Sequence, residues 1–320
     1  MESHHIAVIS RALLYRLATY ATAFFIIWWV ARGVSLAHLL HSFSVANLWI
    51  FIPASVGSFT VWFVGETFLF ATLFSYFHKR TSFLETLPAN AAQYFLQLIN
   101  SAVAGTALVM FMNRRKGVVW LTGGCTLIFQ ALLDLQIMAA MALIAAAVDP
   151  SALIRKFWHV PAIILTLLLL NTWFWRRGRP DSALGRWIYD RPSLTSFRSA
   201  RACHYLGLGA IRTTIFLAYG AMLYFQVNAF GINVNLRALY ALLPVVLLVD
   251  GLPITPVGLG PVQAILVGGL AAYAPRARLL AMALSISFMQ IVFQAPLGLG
   301  SAGAFAREVS SMAKLGREPV

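Results

Sequence analysis

The sequence predicts an all-α polytopic membrane protein, and three observations carry that prediction. The 320-residue chain is 60% hydrophobic and only 11% charged, with a mean hydropathy of +0.78. Apolar runs close to or above the roughly 20 residues that cross a bilayer recur along its length. Lys and Arg gather in short clusters between those runs, as in loops at a membrane surface. A soluble domain of this length could not hide so much apolar surface, so the bilayer is the expected solvent. No polar stretch is long enough for a separate soluble domain, and no catalytic head is expected at either end. The net charge of +14 is read as a topology signal and an attraction to anionic lipid. Nucleic-acid binding is not expected, because the cations are interleaved with apolar runs.

Each run has its own signature. The first, about Leu13–Ala31, holds Arg16, whose stem lets the charge snorkel to the headgroups. No small-residue cleavage site follows it, so it reads as a helix and not as a signal peptide. The second, Val45–Phe77, holds Glu66, and the third, Pro88–Met112, is interrupted by NSAVAG at Asn100–Gly105. The fourth, Val118–Val148, carries Asp134, and the fifth is Phe157–Trp175. A basic linker, 176–201, is expected to lie on the anionic inner leaflet. The sixth run, Ala202–Phe230, contains Arg212; the seventh is Leu239–Ala274 and the last Leu279–Leu299.

The chain is thus read as one transmembrane domain, 1–320, with halves at 1–175 and 202–320. If the third and seventh runs are re-entrant, most of the 24 Lys and Arg fall on the side of both termini. That side is then the cytoplasm. The expectation is about six spanning helices and two oppositely oriented re-entrant hairpins, an inverted repeat.

The seventh run contains the strongest local signal, LLVDGLPITPVGLGPVQAILVGG at Leu247–Gly269. Pro253, Pro256 and Pro261 remove backbone donors. Gly251, Gly258 and Gly260 free the chain for unusual conformations. In hydrocarbon, unsatisfied backbone is costly, so a break of this kind must face protein or a watery cavity. Leu239–Asp250 would extend about 18 Å as a helix and Pro261–Ala274 about 21 Å. Neither crosses a core of about 30 Å. A hairpin with its tip near mid-membrane satisfies both facts. Pro261 suits a first helical position, and the helix start behind it would favour an anionic headgroup.

The expected substrate-binding residues are therefore Asp250, Pro253, Thr255, Pro256, Gly258, Gly260 and Gln263, with Asn100 and Ser101 of the third run facing them. The competing reading is a kinked helix whose Pro and Gly only permit close packing.

Glu66, Asp134 and Arg212 are ionisable groups in apolar runs, where such groups pair or line a wet path. In one reading Arg212 binds headgroup phosphate and an acid carries a coupling ion or proton. In the other, Arg212 forms a structural pair with Asp134 or Glu66. Cys125 and Cys203 read as buried structural thiols. The histidines lack metal-ligand spacing. No nucleophile–base order stands out, so no catalytic residue, metal or cofactor is expected.

LPITPVGLGPVQA, Leu252–Ala264, resembles the signature of the transmembrane, flippase-like region of lysylphosphatidylglycerol synthases and their stand-alone relatives. That family typically has Pro-x-x-Pro-Gly-Gly-x-Gly followed by an acid. Pro253, Pro256, Gly258 and Gly260 match; Val257 stands where Gly is usual, and Gln263 where Glu is common. Asn100–Leu135 resembles the family's small-residue segment, basic turn and helix ending in Asp, here Asp134. The Pro and Arg common near that segment are missing. The resemblance covers about Val45 to Gly300.

It implies a stand-alone, non-enzymatic protein of a bacterial-type inner membrane that translocates a phospholipid or lipid-linked substrate. The soluble aminoacyl-transfer domain of the bifunctional synthases is not expected here. The partners implied are membrane lipids with anionic headgroups, and either a lipid-biosynthesis enzyme or a second copy of the chain. Two rivals stand beside it. One is an accessory subunit that presents lipid to a separate enzyme. The other is a membrane-embedded transferase acting on a polyprenyl-phosphate.

Overall fold

Backbone in hydrocarbon must satisfy its own hydrogen bonds, and a helix does so within one segment. Accordingly, every regular element among the described residues is helical. The computed structural model describes residues 20–99, 101–148, 158–251 and 259–315. Of the expected site residues, Asn100, Pro253, Thr255, Pro256 and Gly258 lie outside them.

The helices are α1 (Tyr20–Ala31), α2 (Leu36–Ser44), α3 (Leu48–Phe77), α4 (Phe83–Ile99), α5 (Ser101–Lys116) and α6 (Trp120–Val148). They continue with α7 (His159–Arg176), α8 (Ala183–Tyr189), a 3-10 turn (Pro192–Leu194), α9 (Thr195–Ser199) and α10 (Ala202–Ala229). The last three are α11 (Leu236–Asp250), α12 (Pro261–Gly269) and α13 (Arg276–Leu315).

By length and composition, four helices among the described residues can cross a membrane: α3, α6, α10 and the Arg276–Leu297 part of α13. The number becomes five if α1 and α2, bent by 90° at their junction, form one broken span. The bend follows from Gly33 at φ +84° and from Ser35, whose hydroxyl caps α2 by accepting the His38 N–H. The sequence expectation of about six spans counted the α7 run. Its 18 residues include His159, Asn171 and Arg176, which reduce its apolar length.

Contacts divide the chain into two units, each assembled from separate segments. One unit holds residues up to Ser58, Met138–Ala162 and Tyr219–Gln290; the other holds Phe59–Ile137, Ile163–Ala218 and the residues from Ile291 onward. In the first, Phe51 meets Phe230 edge-on at 5.4 Å between ring centroids. Gln226 donates to Ser55 there at 3.0 Å. α12 folds back along α11, and a Cβ on Gly269 would meet Leu242. Leu242 lies eight residues before Asp250 and Gly269 eight after Pro261, the register of an antiparallel pair. The sequence expected the return helix to run to Ala274; it ends at Gly269 and gives way to turns.

The second unit has a core of Leu69, Leu73, Phe74, Leu108, Met112 and Leu208, among others. Within it, Gly65 lets α3 and α10 approach so closely that a Cβ would sit 2.6 Å from Ile215. The basic linker is ordered as α8, the 3-10 turn and α9, and it packs on this core. Phe197 of α9 meets Phe129 edge-on at 5.3 Å, and Ser196 hydrogen-bonds Thr126 at 2.6 Å. Leu184 and Trp187 stay exposed. Cys125 is half-buried, and Cys203 is exposed, against the expectation of two buried thiols. Cys203 falls in the first turn of α10, before the helix enters the packed core.

The pair α4–α5 is a hairpin clasped at its open end. Ser82 and Glu85 form a capping box, with the Ser82 N–H donating to Glu85 Oε2 at 2.8 Å. Lys116, the last residue of α5, donates to Glu85 Oε1 at 2.9 Å and to the Arg80 carbonyl at 3.1 Å. The start of α4 and the end of α5 therefore lie together. At 17 and 16 residues, the two helices extend only about 26 and 24 Å. The Ser82 N–H first, and Lys116 second, hold the Glu85 carboxyl down from its ordinary 4.5 to about 2. A depressed carboxyl stabilises the fold above its unfolded value, and the stabilisation is lost as pH falls through the folded value. The stability difference between wild type and Glu85→Gln is thus expected to be full at pH 6 and to shrink from about pH 4.5 towards pH 2. Paired thermal melts across that range check this.

Candidate functional site

Polar residues on four helices of the second unit meet in one buried cluster. Arg212 of α10 is 4% exposed. Its Nε donates to Asp134 Oδ1 at 2.7 Å and its Nη2 to Asp134 Oδ2 at 2.8 Å, a bidentate fork. Nη1 reaches Glu66 Oε1 of α3 at 3.4 Å. Tyr94 of α4 donates to Glu66 Oε2 at 3.0 Å, and Gln130 donates to Asp134 at 2.6 Å from one turn earlier on α6. The Arg212 guanidinium lies 5.4 Å from the Phe216 ring centroid and 5.9 Å from that of Trp62.

Two carboxylates surround one guanidinium, so the formal charges do not cancel. Asp134 is the close partner, and Glu66 is held at longer range. The cluster realises the pairing that the sequence offered as its second reading for Arg212. These three guanidinium hydrogen bonds all end on protein carboxylates. Tyr94 and Gln130 were not picked out from sequence. Their signal was helical spacing: Asn90 and Tyr94 sit one turn apart on α4, and Gln130 and Asp134 one turn apart on α6. Asn90 is fully buried and donates to Thr67 Oγ1 at 2.9 Å.

The expected site at the broken segment falls in the first unit. α11 ends at Asp250, which is half-buried and lies close to Tyr219 of α10. Gly251 caps that helix, its N–H bonding the Leu247 and Val249 carbonyls. The return helix starts at Pro261 behind Gly260, which has φ +95°. Gln263 is fully buried. Its Oε1 accepts the Gly260 N–H and its Nε2 donates to Ser287 Oγ of α13. Both ends of that amide are thus taken up in fixing the hairpin turn. The sequence assigned Gln263 to substrate and did not anticipate Ser287. Ser101, expected to face this segment, is the first residue of α5 in the second unit.

The sequence-derived sites are therefore two separate arrangements. Glu66, Asp134 and Arg212 come together as an ion cluster, and Asp250, Gly260 and Gln263 sit where α11 ends and α12 begins. No curated protein matches the chain. The family model of the lysylphosphatidylglycerol synthase TM region matches residues 11–298. That match takes in all the spanning helices, both hairpins and the ion cluster, so the chain is a multi-pass membrane protein that belongs to the lysylphosphatidylglycerol synthase TM region family.

Proposed function

We propose that this protein binds a phospholipid or lipid-linked substrate within the bilayer and passes it between leaflets, with no bond-making chemistry of its own. One observation carries the reading. An apolar segment is broken at Asp250, and the chain returns beside itself from Pro261. The 15 residues of α11 and the nine of α12 extend only about 22 and 13 Å. A hairpin that short ends inside a core of about 30 Å. It presents a carboxylate and a helix start to whatever fills that depth. Family membership supports lipid handling in general.

In this reading both hairpins are re-entrant, with the ion cluster as a fixed tie within its unit. The membrane is a bacterial-type inner membrane, and both termini face the cytoplasm, on the charge asymmetry of the loops. Reconstitution into vesicles carrying a fluorescent phospholipid tests the proposal. Wild type is expected to expose inner-leaflet label to an external quencher faster than empty vesicles do. Asp250→Asn removes one charge-assisted contact, worth about 1.5–3 kcal/mol, and is expected to slow that exposure about tenfold or more. A wild-type protein no faster than empty vesicles would reject translocation and favour the accessory-subunit reading.

A further inference from the structure

One face of α12 borders a cavity. Ala264, Val267 and Gly268, with Ala271 just beyond, follow the i, i+3, i+4, i+7 spacing of a single helical face. With Trp29 of α1 and Arg276 at the start of α13, they line a cavity of about 380 Å³ within the first unit. That volume is in the range of about 300–1,000 Å³ common for ligand clefts. The floor is small and apolar. Arg276 supplies the charge, and among the described residues it makes no ion pair. Its Nη2 donates to the Trp29 carbonyl at 3.1 Å.

That contact also fixes a level in the membrane. Trp28 and Trp29 are exposed, and Arg32 lies over the Trp28 ring at 5.7 Å. Exposed Trp beside Arg at a helix end marks the headgroup zone. Arg276 is therefore at phosphate level, and it opens a long helix whose N-terminus adds positive potential. A narrow apolar floor running from a cation at this level matches an acyl chain and a phosphate.

We propose that this groove seats one anionic phospholipid of the surrounding bilayer, its acyl chain along the small-residue face of α12 and its phosphate against Arg276. The inference rests on the lipid-handling reading and gives it a docking place on the hairpin. Binding is read without transport, so the groove and the translocation activity can fail separately.

The test titrates the purified full chain in detergent micelles with phosphatidylglycerol, or with phosphatidylcholine of the same chains. Native mass spectrometry counts the bound lipid. Wild type is expected to retain one phosphatidylglycerol in preference to phosphatidylcholine. Arg276→Gln is expected to lower phosphatidylglycerol affinity about tenfold, to the phosphatidylcholine level, while Arg276→Lys keeps most of the preference. Gly268→Leu is expected to lower occupancy by both lipids. A Cβ there meets nothing within 4 Å, so the leucine side chain starts from open space and extends into the groove. Several results would overturn the proposal. They are an unchanged preference in Arg276→Gln, unchanged occupancy in Gly268→Leu, displacement of the lipid by inorganic phosphate, or a chain dimer forming in place of the lipid complex.

Discussion

Arg212→Met is expected to destabilise the protein by about 3–5 kcal/mol, because it strands two buried carboxylates that were paired. Asp134 loses both arms of its fork and Glu66 loses its one guanidinium contact. Neither acid has a cation to replace it among the described ion pairs. The guanidinium also leaves its place beside the stacked Phe216 and Trp62 rings. Thermal and denaturant unfolding of the detergent-purified protein measure the cost. The single substitution could be severe for a trivial reason of shape, so a second variant separates charge from volume. Arg212→Met with Asp134→Leu and Glu66→Gln removes all three charges and keeps similar bulk. It is expected to recover most of the lost stability, since apolar replacement of a whole buried ion cluster is often neutral.

The two acids should not respond alike. Glu66→Gln keeps an acceptor for Tyr94 and removes one of two negative charges facing one positive, so it is expected to change stability by less than about 1 kcal/mol. Asp134→Asn breaks the fork itself and is expected to cost about 2–3 kcal/mol. Equal effects from the two acids would contradict the asymmetric distances. An Arg212→Met protein as stable as wild type would remove the cluster from the account of what holds the second unit together.

What could be read from sequence, and what could not, divides along physical lines. Helix content and the positions of long helices were legible, because hydrocarbon tolerates few alternatives to an apolar helix. The break after Asp250 was legible too, since Gly and Pro clusters within apolar runs have few other uses. The partner of Arg212 could be narrowed to Asp134 or Glu66, since so few charges lie in the apolar runs. Its unequal treatment of the two acids depends on helix rotation, which composition does not set.

Gln263 shows the opposite case. A polar residue just after a break looks like a ligand contact, but here its amide closes on Gly260 and Ser287. Ser287 is 24 residues away in another helix, and an apolar helix interior offers no signal for such a pairing. The basic linker likewise read as a surface strap. Its Phe197 and Ser196, buried against α6, are single inward residues in a polar stretch too short to show a period.

Gly260→Ala is the other substitution expected to have a large effect. Gly260 holds φ +95° with ψ −68°, a region in which an L-residue is strained by about 1–3 kcal/mol. Space compounds the strain. A Cβ there would lie 3.0 Å from the Ala23 carbonyl oxygen and 3.1 Å from Ile26 Cβ of α1. Ala23 offers backbone, which cannot swing away as a long side chain would, so α1 must shift. Together these predict a loss of about 2–4 kcal/mol. Gly268→Ala is the matched control on the same helix. Its Cβ meets nothing within 4 Å, and replacing a helical glycine is expected to be neutral or to stabilise by up to about 1 kcal/mol. The two variants differ by one methyl at each of two sites eight residues apart. If their melts coincided, the left-handed turn and the packing of α1 upon it would not be what fixes the return helix. If Gly260→Ala alone unfolds early, the hairpin turn is held by one residue that only glycine can supply. The sensitivity of any transport activity to that position then measures how much the activity depends on a fixed tip. Lost translocation in a variant that still folds at lower temperature would place the working part of the protein at the break.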